Sequence, residues 1–302
     1  MLLHNLDYQL YQQHLKEGSL ALDLGLANFR LQSAVPSVAT NIYKTYADYP
    51  IIETEFCDFQ VNINCPTNLR RFYRPQVNFY SDNYRPFIPL PKAQAYPMLE
   101  WGMNWCVSSS EYNYLSLHAG VLADQNNQAI IFPAPPGSGK STLTAFLAYS
   151  GWRLLSDEMT IIDLDSCHVL PFVRPICLKN NSIPLVKSWF PDVQFTATVS
   201  DTSKGDVAHF RPPTASVKNH KLPAGIKAIV FPRYASGSPL KIFKLTKTEA
   251  FKALAENSFN HNVLGIDGFN ILVQLSENTP CFEIEYQDLP EVEQFLAEGD
   301  FN

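Results

Sequence analysis

The residues best placed to do chemistry form one short run, Phe132-Pro133-Ala134-Pro135-Pro136-Gly137-Ser138-Gly139-Lys140-Ser141-Thr142. It stands between an apolar stretch, Ala129 to Phe132, and a helical segment expected from Ser141 to Ser150. A polyphosphate needs inward-turned backbone N–H groups, glycines that let the backbone come close, a lysine for the terminal phosphates and a hydroxyl for Mg²⁺. Gly137, Gly139, Lys140 and Ser141 supply that set in order, and Pro136, Ser138 and Thr142 complete the loop. Ala134 replaces the usual first glycine of this Walker A pattern. A nucleotide polyphosphate is the expected ligand; a plain strand-to-helix turn is the competing use of the same residues.

The run Trp152-Arg153-Leu154-Leu155-Ser156-Asp157-Glu158 reads as a short apolar strand ending in two adjacent carboxylates, the first of them seventeen residues beyond Lys140. In an open α/β sheet the carboxyl ends of neighbouring strands meet at one crevice, so Asp157 and Glu158 are expected to face the phosphate loop. One carboxylate can hold Mg²⁺ while the other accepts the proton of an attacking hydroxyl. Sequence does not divide these tasks between the two, and solvated turn acids are the bland alternative. Asp163 and Asp165, on the next strand, are alternative metal ligands. Arg174, Lys179, Lys204 and Arg211 lie in loop-like contexts. Such cations are expected around a phosphoryl group in flight, although ordinary surface charge explains any one of them equally well.

The elements that must position these groups are legible in outline. Leu115 to Leu122 and Ala129 to Phe132 read as two strands separated by a polar turn at Asp124 to Gln128. Gly151 closes the helix after the loop. Further strands are expected at 153–156, 159–164, 226–231 and 281–286. Thr246-Lys247-Thr248-Glu249 is a capping box, and Asp288-Leu289-Pro290-Glu291 joins an N-cap aspartate to a proline in the first turn. Upstream, Phe56 to Ile63 alternates as a half-buried strand, the proline-dense Pro86 to Pro91 reads as an extended connector, and Leu99 to Trp105 as a helix or turn. The expected organisation is a smaller, mainly β or α+β domain over 1–112 and an α/β domain over 113–302.

Composition sets the limits. The 302 residues are 46% hydrophobic and only 17% charged, enough for a sizeable core. A net charge of −6 argues against a broad nucleic-acid surface. The six cysteines include no C-x-x-C pair and read as buried thiols of a reducing compartment. Met1 to Leu20 mixes polar with apolar residues, without the apolar run of a signal peptide, and no stretch is long enough to span a bilayer. A cytoplasmic protein without membrane contact is expected.

Leu117-His118-Ala119-Gly120-Val121-Leu122, the phosphate loop and Gly151 to Glu158 together resemble the bacterial HPr kinase/phosphorylase, which has a histidine on the strand before its phosphate loop and a pair of acids after the following helix. The chain is similar over nearly its whole length to the HprK-related kinase A group. That likeness includes Phe87 to Pro91, Glu100 to Trp105, Arg174 to Asn180, Lys204 to His209 and Phe231 to Tyr234. It implies a phosphate-loop kinase domain of the HPr kinase/PEP carboxykinase-like type. Lys140 and Ser141 would bind ATP and Mg²⁺, Asp157 or Glu158 would be the catalytic acid/base, and His118 would stand beside them. A lone histidine on an apolar strand is otherwise a core group; the resemblance assigns this one to the site. The family's glutamate-and-arginine segment is not found, and Arg174, Lys179, Lys204, His209 and Arg211 occupy the corresponding stretch. The resemblance therefore stops short of naming HPr as the acceptor. Family members form hexamers, so a homo-oligomer is one implied arrangement.

These readings converge on a kinase that moves the γ-phosphoryl of ATP to a hydroxyl, of serine or threonine in a protein or peptide. A small-molecule acceptor is the alternative within enzymes, and an ATP-binding switch with little turnover is the alternative outside them.

Overall fold

The computed structural model describes residues 1–67, 72–110, 113–135, 137–299 and 301. In chain order its helices and strands begin with α1 (Tyr8–Glu17), β1 (Leu20–Asp23), β2 (Asn28–Ser33), α2 (Pro36–Thr45), β3 (Phe59–Asn64), β4 (Gln76–Ser81), β5 (Leu90–Pro91) and α3 (Ala95–Ser110). There follow β6 (Tyr114–Leu117), β7 (Ala119–Ala123), β8 (Gln128–Pro133), α4 (Lys140–Tyr149), β9 (Arg153–Ser156), β10 (Thr160–Asp163) and β11 (Val169–Leu170). Next come β12 (Ile176–Lys179), α5 (Ser182–Trp189), β13 (Val199–Thr202), β14 (Gly205–Phe210) and α6 (Thr214–Lys218). The chain finishes with β15 (Gly225–Tyr234), β16 (Lys241–Lys244), α7 (Lys247–Glu256), α8 (His261–Leu264), α9 (Ile266–Asn278), β17 (Cys281–Tyr286) and α10 (Leu289–Glu298). The fold is mixed α/β, and no described helix is long and apolar enough to cross a membrane.

Two compact units share these elements: Met1–Ser110 with Cys177–Lys218, and Glu111–Ile176 with Asn219–Asn302. The expected boundary after residue 112 adjoins residues 111 and 112, which lie outside the described ones. The expectation of one continuous domain over 113–302 is corrected for the segment Cys177–Lys218, which groups with the first unit. Its attachments there are specific. Gln94 donates to the carbonyl of Asp201 at 2.9 Å, and Arg211 forms a 2.6 Å ion pair with Asp48, which also accepts from the Thr214 hydroxyl at 2.7 Å.

In the first unit five strands lie in sequence order, all antiparallel neighbours except the parallel pair β2 and β3. Along β3, Phe59, Val61 and Ile63 are buried and the residues between them are not, the period-two pattern of a strand with one covered face. β5 is a two-residue edge strand in the proline-dense connector, where a missing N–H costs no ladder bond.

Asp48 is 7% exposed. Burial pushes its carboxyl up, but the hydrogen bonds from Thr214 and Arg211 and the Arg211 charge outweigh that and hold it below the ordinary aspartate value. A depressed carboxyl contributes its stability in full above the unfolded pKa, near 3.8, and loses it as pH falls through the folded value. Asp48→Asn is therefore expected to cost about 2 kcal/mol at pH 7, less than a fully buried pair because water reaches Arg211. Denaturant titration at a series of pH values should show the gap between wild type and variant closing only below about pH 4.

In the second unit six strands take the order β16, β17, β15, β8, β7, β9, beside a three-stranded sheet of β11, β10 and β6. β8, β15 and β17 run parallel, and β7 runs antiparallel to both β8 and β9. Ala119, Val121, Ala123, Ala129 and Ile131 join Ala250 and Leu254 of α7 and Ile271, Leu272 and Leu275 of α9 in one buried cluster. The intervening position, Gly120, faces α4 instead. α7 opens on the expected capping box, with Thr246 and Glu249 exchanging both bonds, and α10 on Asp288, which accepts from the N–H of Glu291.

The run Leu115 to Leu122, expected as one strand, is two. β6 pairs with β10 and β7 with β8, and the break falls on His118, whose N–H donates to the carbonyl of Asn257 at 2.7 Å.

Candidate functional site

Register places the candidate groups at one end of the six-stranded sheet. Ala119, the first residue of β7, lies opposite Pro133, the last of β8, and Val121 lies opposite Ser156, the last of β9. The start of β7 is thus flanked by the ends of β8 and β9. His118 enters there, the loop to Lys140 leaves there, and Asp157 and Glu158 follow there. This is the convergence of strand ends expected from the sequence, with β7 interposed between the two parallel strands that carry the loop and the acids.

The loop has the backbone that its composition requires. Gly137 and Gly139 have φ of 89° and 91°, left-handed values that side-chain-bearing residues rarely adopt. Gly139 is the N-cap of α4 and offers no side-chain cap to the first turn, so the leading N–H groups of that helix face the loop without an internal acceptor. Such a turn favours negative charge. Ser141 and Thr142 are half-buried in the first turn of the helix. Pro136 lies outside the described residues. Two side chains that sequence reasoning did not find brace the loop: a methyl group on Gly139 would stand 3.0 Å from the Tyr286 hydroxyl and 3.1 Å from Cβ of Tyr234.

Gly120 shows how the two halves of the site approach each other. A methyl group there would stand 2.6 Å from Oγ1 of Thr144, 3.3 Å from the carbonyl oxygen of Asp157 and 3.6 Å from Cγ of Lys140. The lysine stem and the acid strand therefore meet over the one position of β7 that has no side chain. Lys140 and Asp157 are 7% and 5% exposed, so both charges are held largely out of water, where their electrostatic influence is greatest. Glu158 and His118 are half-buried, and the His118 ring lies 5.7 Å from that of Phe259. Gly120→Ala is expected to destabilise the chain by about 1–3 kcal/mol through overpacking, because Thr144 is buried on a helix and cannot swing clear. Denaturant unfolding measures the loss, and Gly225→Ala, where a methyl group would meet only the side-chain end of Gln128, at 3.2 Å, provides the milder comparison.

The other expected residues have the following surroundings within their own units. Asp163 accepts from the N–H and hydroxyl of Ser166 at 2.8 and 2.6 Å, and those bonds hold its carboxyl below the ordinary value. It pairs with Tyr114 at the end of β10 remote from Thr160, whose hydroxyl reaches the Ala119 carbonyl. Asp163, and with it Asp165 in the same turn, is thus removed from the acid pair, which corrects their use as alternative metal ligands. Arg174, in the second unit, is 8% exposed with its guanidinium 5.0 Å from the Phe172 ring. Lys179, Lys204, His209 and Arg211 belong to the first unit. There the Lys179 backbone closes a turn with Ser182, Lys204 lies 5.2 Å over Trp101, His209 is 1% exposed and edge-on to Tyr96 at 5.1 Å, and Arg211 is committed to Asp48.

Among the described residues no three His, Cys, Asp or Glu side chains gather as a metal-binding group. The donors that fit Mg²⁺ at this end of the sheet are the Ser141 hydroxyl and the carboxylates of Asp157 and Glu158. One or two such ligands completed by phosphate oxygens and water suit a hard octahedral ion. A scan against protein-family models finds no match, and a search of curated proteins finds none either.

Proposed function

We propose that this chain is an ATP- and Mg²⁺-dependent kinase that transfers the γ-phosphoryl group to a hydroxyl, of serine or threonine in a protein or peptide. The observation that carries this reading is the meeting of the loop 137–142, Asp157–Glu158 and His118 around the start of β7, with Lys140 and Asp157 both bordering Gly120. The likeness to the HPr kinase-related group points the same way.

In this reading the loop amides and Lys140 hold the β- and γ-phosphates and keep them in line with the acceptor. Ser141 and one of the two acids would hold Mg²⁺, which would supply charge to offset that of the phosphates. The other acid takes the proton from the acceptor hydroxyl as its oxygen forms a bond to phosphorus and the bond from phosphorus to the ADP oxygen breaks. Lys140 offsets charge on the phosphates through the transfer. Burial of Lys140 and Asp157 keeps those charges poorly screened.

The test is incubation of the full chain with γ-labelled ATP and Mg²⁺, against a protein extract and, separately, against a metabolite extract. Label on serine or threonine of a protein, lost with Lys140→Ala, is the expected result. Equal labelling by wild type and variant would overturn the site. Label confined to a small molecule would move the acceptor to the alternative class and leave the site intact.

A further inference from the structure

We propose that the exposed ring of Tyr234 is the platform on which the base of the nucleotide stacks, an inference that rests on the kinase reading above. Tyr234 ends β15, the strand next to β8 on the side away from β7 and β9. Its N–H donates to the carbonyl of Ser138 at 3.1 Å, which fixes the residue to the phosphate loop itself. Its ring packs edge-on against buried Tyr286 at 6.1 Å, and the residue is still 52% exposed. A large aromatic residue anchored at its root and half exposed, beside a phosphate loop, can serve as a stacking surface for a planar partner.

The direction of the ligand follows from the order of the strands. The acids end β9, so the transferring end of a triphosphate must point across β7 toward them. The polyphosphate lies along the loop that β8 feeds, and the nucleoside then leaves on the opposite side, over β15. β9 and β15 are three strand spacings apart, about 14 Å. Tyr234 is the large exposed side chain in contact with the loop on that side. Stacking uses the π-face that all bases share, so the platform favours a nucleotide over bare polyphosphate without selecting the base. The rim adds charge: Arg233 and Lys241 both lie against Glu285, at 3.9 and 2.8 Å.

The experiment measures affinities of the full chain for ATP, GTP and inorganic tripolyphosphate, each with Mg²⁺, by titration calorimetry. Wild type is expected to bind both nucleotides more tightly than tripolyphosphate. Tyr234→Ala should weaken ATP and GTP alike by about tenfold, Tyr234→Trp should not weaken them, and tripolyphosphate affinity should stay within about twofold in both variants. The retained tripolyphosphate affinity also reports an intact loop. An equal loss for all three ligands would reduce Tyr234 to a brace for the loop and overturn the platform, as would no loss for any. Failure of wild type to bind any of the three would overturn the kinase reading, and the platform with it.

Discussion

Asp157→Asn is expected to lower phosphoryl transfer by about 10²–10⁴-fold while the chain stays folded and still binds nucleotide. The amide matches the carboxylate in shape but carries neither the charge that holds Mg²⁺ nor the lone-pair basicity that takes a proton, so either role is lost. Asp157 is 5% exposed and its carbonyl borders Gly120, and the isosteric amide keeps that packing. The Mg²⁺ dependence separates the roles. If Asp157 is the metal ligand, raising Mg²⁺ restores part of the rate; if it is the base, saturation with Mg²⁺ restores nothing and Glu158→Gln shows the metal defect. Steady-state transfer across a Mg²⁺ series, for both variants, checks the prediction. Full activity in Asp157→Asn would remove Asp157 from the mechanism.

Lys140→Ala is expected to reduce kcat/KM for Mg-ATP by about 10²–10³-fold, the usual loss on removing one preorganised group that meets transition-state charge. Lys140 opens α4, and its Cγ would stand 3.6 Å from a methyl group on Gly120, which would also lie 3.3 Å from the Asp157 carbonyl oxygen. Lys140→Arg should recover little, because a planar guanidinium does not occupy the position of a compact ammonium on a fixed stem. Both variants should keep the wild-type fold by circular dichroism. A rise in KM alone, with kcat unchanged, would mean that Lys140 binds ground state and transition state equally.

How much of this was legible depends on how far apart the cooperating residues lie in the chain. The loop, its helix and the capped starts of α7 and α10 are local patterns, written within four to eleven residues, and sequence places them within a residue or two. The break at His118 was not legible. The apolar run continues through it, and the switch of sheets is decided by a bond to Asn257, far downstream. The membership of 177–218 was hidden for the same reason, since apolar alternation does not say which core a strand enters. Arg211 and His209 find Asp48 and Tyr96 more than a hundred residues away, partners that residue type alone does not name. Gly120 carried a signal in retrospect: a glycine inside an apolar strand marks a close approach, here of Thr144 and the Lys140 stem.

The central claim is that one triphosphate joins the loop to the acid pair. A crystal structure of the full chain with Mg²⁺ and a non-hydrolysable ATP analogue tests it most directly. The account predicts β- and γ-phosphates within hydrogen-bond reach of the backbone N–H groups of 137–142 and of Lys140 Nζ, with the terminal phosphate turned toward Asp157 and Glu158. Nucleotide bound elsewhere in the chain, or a terminal phosphate turned toward β15 and away from both acids, would contradict it.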